Sequence, residues 1–136
     1  MIKTEAQRER TAVQIEGFQK ALRQIAKEDT GKRAAAIRSS YEGMISQLKD
    51  ELREYDQVKA GKFRMPAIER LDHIAPLIIK LRIAKGVTQT ELAKRLKVSK
   101  QVVSRHEEDE YQGVSIVRLQ EILDALGAKA RIGLSA

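Results

Sequence analysis

GVTQTELAKRLKVSKQVVSR, from Gly86 to Arg105, contains two short helical patterns separated by a tight turn. Thr88 is a favourable helix N-cap, and Glu91 follows it at the spacing of a capping box, in which each side chain binds the other residue's backbone N–H. The residues KVS form the turn, and Ser99 can cap the helix that follows. The segment therefore predicts a helix QTELAKRL, a three-residue turn and a second helix KQVVSRHE.

The second of these helices has two contrasting faces. At roughly 100° per residue, its hydrogen-bonding and cationic side chains share one face, and its apolar side chains lie mostly on the other. The first face holds Lys100, Gln101, Ser104 and Arg105, and the second holds Val102, Val103 and His106. Two short helices joined in this way form a helix-turn-helix, whose second helix lies in the major groove of DNA. We expect His106 to be a half-buried core histidine with its polar edge at the rim.

Helical patterns flank this motif on both sides. Before it, APLIIKLRIAKG places Pro76 near a helix start and Gly86 at the helix stop. After it, Ser115 can cap the helix IVRLQEILDAL, which Gly127 closes. We therefore predict a DNA-binding domain over residues 72–127.

From about Leu71 to Gly127, the sequence resembles the lambda-repressor/Cro-like (XRE) helix-turn-helix family. The matching features are Thr-Gln at the start of the first motif helix, Leu92–Ala93, Leu96, the Val98–Ser99 turn, the Val-Ser-Arg run and ILDALG. The chain further resembles a bacterial subgroup in which a helical hairpin precedes the motif and a DEYxG loop follows it. This resemblance implies an all-α domain, similar to that of lambda repressor, that binds double-stranded DNA.

The resemblance also implies a role for each matching residue. Lys100, Gln101 and Arg105 would read bases, because glutamine can pair with adenine, and lysine or arginine with guanine, in the major groove. The implied phosphate contacts are Gln89, through its side chain or its backbone N–H, together with Lys94, Lys97, Ser99 and Ser104. For Lys94, a solvated charge is an equal alternative.

Lys97 departs from the family pattern, because a glycine is common where the chain turns between the two helices. A left-handed conformation at a non-glycine residue costs on the order of 1 kcal/mol, which a folded domain can tolerate. In exchange, a lysine at this position would provide another cation that faces the DNA phosphates.

Four consecutive acids, Glu107 to Glu110, follow the second motif helix, and we expect them to form a loop. DNA phosphates would repel carboxylates, so this loop should not lie on DNA. It could be a solvated loop, limit non-specific binding or pair with arginines of a neighbouring subunit. On this interpretation, the acids mark where the DNA-facing surface ends.

Residues 1–61 predict an antiparallel, coiled-coil-like helical hairpin built from two apolar stripes joined by the polar turn KEDTGKR. The first stripe is Ile15, Phe18, Leu22 and Ile25, and the second is Ile37, Tyr41, Met44 with Ile45, Leu48, Leu52 and Tyr55. Two helices alone bury little area, so the hairpin should pack on a second copy or on the C-terminal half. Gly61 and Pro66 then mark a linker over residues 62–71.

The tail, residues 128–136, ends in ARIGLSA, where Ala130, Ile132 and Leu134 alternate like a short strand. A frayed terminus is an equal alternative. A helix-turn-helix reads only a short half-site, which favours a homodimer on a palindromic operator with half-sites about 34 Å apart. The hairpin and the tail are the two candidate dimer elements.

The composition excludes several classes of protein. The chain has 136 residues, no cysteine and only two histidines, which excludes disulfide frameworks and cysteine-ligated metal sites. We therefore expect no metal and no cofactor. No glycine-rich phosphate loop or Ser-His-acid arrangement is present, so we expect no enzyme. No apolar run approaches the roughly 20 residues of a membrane span, and no signal peptide is recognisable, which predicts a soluble cytoplasmic protein without a membrane partner.

The net charge of +7 is concentrated near the motif. Between Leu77 and His106 there are eight lysines and arginines, and Glu91 is the only acid. A basic excess in so short a window favours a polyanionic partner, because each neutralised phosphate releases counterions.

The leading functional hypothesis is a transcriptional repressor. The alternative is the antitoxin of a type II toxin–antitoxin pair that autoregulates its operon, to which a distant similarity to HigA-type antitoxins points. A stoichiometric small toxin in a pull-down would distinguish the two. A third class, an interaction protein that recruits a partner through its hairpin, predicts no salt-dependent affinity for DNA.

Overall fold

The computed structural model describes residues 1–28 and 31–136, and within those ranges it contains helices but no strand. It divides into two compact units, Met1–Gln57 and Val58–Ala136. The helices are α1 (Glu5–Glu28), α2 (Lys32–Lys59), α3 (Ile74–Ala84), α4 (Gln89–Leu96), α5 (Lys100–Glu108) and α6 (Ile116–Ala125), with a 3-10 turn at Leu71–His73. The predicted all-α fold class is confirmed. None of the helices in the described part of the chain is long and apolar enough to cross a membrane.

In the first unit, α1 and α2 run antiparallel. Arg8, near the start of α1, forms a two-pronged ion pair with Asp56, near the end of α2, at 2.7 and 2.9 Å. Further along, the ring centres of Phe18 and Tyr41 lie 5.5 Å apart. The predicted turn KEDTGKR includes residues 29 and 30, which lie outside the described residues.

The inward face of α2 follows a different register from the one that the sequence predicts. Its buried and half-buried residues include Ala34, Arg38, Tyr41, Ile45, Leu48, Leu52 and Tyr55, which are spaced alternately by four and three. Ile37 and Met44 are predicted members of this stripe, but they are 40% and 38% exposed, so that part of the prediction is wrong. Sustained contact between two helices requires a 3.5-residue repeat, and Ala34 and Arg38 fit that repeat whereas Ile37 does not.

In the second unit, α4 packs against both α5 and α6. The least exposed apolar side chains of this unit, at 2% or less, include Ile78, Ile79, Leu92, Val103, Ile122 and Leu126. Gly86 and Gly127 have φ angles of 69° and 65°, in the left-handed region that glycine enters without a steric penalty. They follow the ends of α3 and α6, as predicted, and so set the lengths of the two helices that frame the motif.

Two irregular segments complete this unit. Residues 62–68 form neither helix nor strand, and the ammonium group of Lys80 in α3 lies 4.8 Å from the centre of the Phe63 ring, a cation–π contact that attaches this segment to the domain. The tail, residues 128–136, also forms neither helix nor strand. Of the two alternatives for the tail, the strand is therefore not formed within a single chain.

Candidate nucleic-acid interface

The turn between α4 and α5 has the local structure that its sequence predicts. Thr88 accepts a hydrogen bond from the backbone N–H of Glu91 at 3.1 Å, and the Glu91 carboxylate accepts one from the backbone N–H of Thr88 at 3.1 Å. Lys97 has φ 57° and ψ 41°, the predicted left-handed conformation. Ser99 then caps α5 by accepting from the backbone N–H of Val102 at 3.3 Å. These caps and the left-handed residue fix where α5 begins and the direction in which it leaves the turn.

The polar face of α5 consists of Lys100, Gln101, Ser104, Arg105 and Glu108, which together line a shallow concavity of about 300 Å³. Lys100, Gln101 and Arg105 are exposed, whereas Ser104 is half-buried. Val103, on the opposite side of the helix, is 2% exposed. The structure therefore brings the three predicted base-reading residues and Ser104 onto one accessible surface.

Two exposed lysines precede this face along the chain, Lys94 in α4 and Lys97 in the turn. Within residues 1–28 and 31–136, no ion pair or side-chain hydrogen bond engages either of them, nor Lys100 or Arg105. Arg95 differs, because its guanidinium donates to the backbone carbonyl of Ala125 at 2.8 Å and so ties α4 to the end of α6. The cations of the α4–α5 surface are thus available to a polyanion.

Beneath the surface, a buried polar network joins α3, α4 and α5. Arg82 forms a two-pronged ion pair with Glu107, with its Nη2 at 2.9 Å from Oε2 and its Nε bonded to Oε1. The Gln89 side chain donates to the same carboxylate at 2.8 Å, and Arg82 also donates to the Val87 carbonyl at 2.9 Å. Arg82, Gln89 and Glu107 are 3%, 5% and 0% exposed. The network therefore holds the end of α5 against the two preceding helices.

This network corrects the expectation for the four acids, which do not form a loop. Glu107 and Glu108 are the last two residues of α5, Asp109 is its C-cap, and only Glu110 lies beyond. Glu107 faces the interior because Arg82 and Gln89 supply its counter-charge and hydrogen bonds, and no local sequence signal reveals those distant partners. Arg82, one of the eight lysines and arginines between Leu77 and His106, is therefore buried and does not contribute to a basic surface.

Gln89 is placed differently from its predicted role. Its side-chain amide points inward to Glu107, so the phosphate contact implied for this residue is left to its backbone N–H. Gln89 is the first residue of α4, where the backbone N–H groups of the first turn have no partner within the helix. The backbone N–H of Gln89 therefore lies at the helix N-terminus, as predicted, but its side chain takes part in the buried network with Glu107.

Glu108 is the surface residue that the sequence reasoning misses. At roughly 100° per residue, it falls between Ser104 and Gln101 on the polar face, and it lines the same concavity as they do. Extending the predicted helix KQVVSRHE by one residue would have found it. A carboxylate among cations on this face can accept a hydrogen bond from the exocyclic amine of cytosine.

Tyr111 lies in the loop that follows α5. It is 6% exposed, and no hydrogen-bond partner for its hydroxyl is found among residues 1–28 and 31–136. Burial, aided by the Glu107 carboxylate, raises the pKa of this phenol above its usual range. Tyr111 and the preceding Glu110 both have left-handed backbones, with φ 58° and 51°. His106, half-buried as expected, has its ring centre 6.3 Å from that of Tyr111.

Comparison with known proteins places this geometry in a family. Residues 78–132 match the helix-turn-helix family model HTH_3, and this span contains all of α4, α5 and α6. Comparisons with curated proteins and with solved structures found no match. The matched family is the XRE type, whose members are DNA-binding transcription regulators. Residues 78–132 of this chain therefore match a helix-turn-helix domain of the XRE type.

Proposed function

We propose that this protein is a sequence-specific transcriptional repressor that binds a palindromic operator as a homodimer. The observation that carries the proposal is the polar face of α5, which exposes Lys100, Gln101 and Arg105, together with the exposed lysines Lys94 and Lys97 that precede it along the chain. A surface of this kind offers both charge for the DNA backbone and hydrogen-bonding groups for base edges.

Each residue of the site has a proposed role. Gln101 pairs with adenine, and Lys100 and Arg105 pair with guanine. Phosphates are bound by Lys94, Lys97, Ser99, Ser104 and the backbone N–H of Gln89. Glu108 adds a base-edge acceptor that also disfavours sequences which bring a phosphate oxygen or a carbonyl close to it.

The first test is binding to the protein's own promoter region against random duplex, in a salt titration with the solution mass followed alongside. The wild-type protein is expected to prefer the promoter and to bind as a dimer, with affinity falling steeply as salt rises. Weak binding with equal affinity for the promoter and for random duplex would contradict the proposal. Co-purification of one stoichiometric small protein would instead favour the antitoxin function.

The second test removes the base-reading side chains. Gln101→Ala and Arg105→Ala should each cost about 1–3 kcal/mol of promoter binding per half-site and relax the preference at one position of each half-site. Gln14→Ala, at an exposed position of α1, is the matched control and should bind as the wild type does. Unchanged affinity and unchanged sequence preference in both α5 variants would show that α5 is not the reading helix.

A further inference from the structure

The second unit carries an aliphatic groove that the DNA-binding role does not use. Its volume is about 710 Å³, and its walls come from the linker, α3, α6 and the tail, with no residue of α4 or α5. Leu71, Leu77, Leu81 and Leu123 are among the lining side chains, together with Ile132 and Leu134 of the tail. Leu71 is 65% exposed, so the groove is an apolar surface that a single chain leaves partly uncovered.

The tail beside this groove has the pattern of an amphipathic strand without a partner. Ala130, Ile132 and Leu134 alternate with the polar or small residues Lys129, Arg131, Gly133 and Ser135. Ile132 and Leu134 are 71% and 94% exposed. Within the described chain, no backbone-to-backbone hydrogen bond involves residues 129–136. A period-two pattern of this kind is stable when one face is covered and the backbone edge is paired.

We propose that the tail pairs with the same tail of a second copy, as a two-stranded antiparallel ribbon whose apolar face covers the grooves of both protomers. A two-fold interface requires a self-complementary surface, and an extended segment with free N–H and C=O groups is complementary to its own antiparallel copy. The exposed apolar side chains of the tail and the exposed apolar groove are then buried together. This inference deepens the homodimer of the proposed function and rests on it.

Charge selects one register for the ribbon. With Ile132 opposite Ile132 of the second copy, Arg131 faces Gly133, Lys129 faces Ser135 and Ala130 faces Leu134. Shifting the pairing so that Arg131 faces Arg131 places two guanidinium groups directly opposite each other, which destabilises a strand pair. The register centred on Ile132 therefore pairs residues 128–136 without facing cations.

Single cysteines test this register, because the natural chain has none. Directly opposite residues of an antiparallel pair have Cα atoms about 4.5 or 5.5 Å apart, within the roughly 4.4–6.8 Å that a disulfide spans. Ile132→Cys in the full chain should therefore form a covalent dimer under mild oxidation. Arg131→Cys is the matched control, since its Cα atoms would lie roughly 8 Å apart, two residues offset along the strands, and it should cross-link at least tenfold more slowly. Equal cross-linking at both positions, or none at 132, overturns the proposal.

A charge substitution tests whether the ribbon holds the dimer. Ile132→Lys places two ammonium groups face to face and should weaken dimerisation about tenfold or more in sedimentation equilibrium. Val13→Lys, at an apolar position of α1 that is 68% exposed, should leave the dimer unchanged. Dissociation by Val13→Lys but not by Ile132→Lys would place the interface in the first unit and overturn the inference. A wild-type protein that is monomeric would overturn it as well.

DNA binding separates this inference from the proposed function. If the tail cross-links at position 132 while the wild-type protein shows no preference for its promoter, the dimer stands and the DNA-reading function fails. If promoter preference is present but Ile132→Cys does not cross-link, the function stands and the ribbon is wrong.

Discussion

Glu107 is the first of four consecutive acids, yet it is the least exposed charged residue of the domain, at 0%. A buried charge is tolerated only when counter-charge and hydrogen bonds replace the water that it loses. Arg82 supplies the charge and Gln89 an additional donor. The network therefore adds little to the free energy of unfolding compared with an apolar core. Removing one of its side chains, however, lowers that free energy strongly, because a buried partner is left unpaired.

Glu107→Gln keeps the shape of the side chain and removes its charge, which leaves the Arg82 guanidinium buried without a counter-ion. We expect the free energy of unfolding to fall by about 3 kcal/mol, measured by urea denaturation. Glu108→Gln, the adjacent exposed acid, is the control and should change stability by no more than roughly 0.5 kcal/mol. Combining Glu107→Leu with Arg82→Met should recover much of the loss, and a full loss in that double variant would contradict this account of the ion pair.

Tyr111→Phe removes a buried hydroxyl that has no hydrogen-bond partner in the described part of the chain, and it should raise the free energy of unfolding by about 1 kcal/mol. The variant also has a pH signature. Because folding raises the pKa of Tyr111, the folded protein holds this proton more tightly than the unfolded chain does. Its contribution is complete below pH about 10 and is lost as the pH rises further. Unfolding curves between pH 9 and 11 should therefore decline less steeply for Tyr111→Phe, and parallel curves would argue against a buried neutral phenol.

At the scale of elements, the turn between α4 and α5 decides how the polar face is presented. Its caps are local features and follow from Thr88, Glu91 and Ser99. Lys97 is the exception, because a lysine holds the left-handed conformation that glycine adopts without strain. The left-handed conformation of Lys97 therefore lowers the free energy of unfolding slightly. On the proposed function, its ammonium group adds a contact to the DNA backbone.

Lys97→Gly should separate those two effects. Glycine adopts the left-handed conformation without strain, but it loses more conformational entropy on folding than lysine does. The balance of these two effects should raise the free energy of unfolding by about 0.5 kcal/mol. Promoter affinity should fall, because a phosphate contact is lost. Lys94→Gly is the matched control. It removes the same charge from the interior of α4 and should lower stability by about 1 kcal/mol, again with weaker DNA binding. Thermal denaturation and a binding titration on both variants check the prediction, and the same sign of stability change in both would refute it.

At the scale of the whole molecule, the surface cations act together and their effect depends on the number of chains in the complex. Removing one phosphate contact reduces the slope of log K against log salt by about 0.9. In a homodimer each substitution removes two contacts, so Lys94→Ala should reduce the slope by about 1.8. Lys20→Ala, an exposed lysine on α1, should leave the slope unchanged. A reduction near 0.9 for Lys94→Ala would indicate that one chain, not two, lies on the DNA.

The sequence by itself determined the features whose causes are local. The capping box at Thr88 and the caps at Ser99 and Ser115 depend on residues three positions away along the chain, and the helix stops at Gly86 and Gly127 depend on the glycines themselves. The two-sided pattern of α5 follows from helical periodicity in the same way.

Only the tertiary structure decided the features whose causes lie far along the chain. Arg82 and Glu107 are 25 residues apart in sequence, so neither the burial of Glu107 nor the inward turn of Gln89 is visible locally. The register of α2, with Arg38 inside and Ile37 outside, depends on which face of that helix meets α1. Burial depends on the packed chain, because a side chain is shielded from solvent only when segments that are distant in sequence surround it. Sequence periodicity, in contrast, describes one segment at a time.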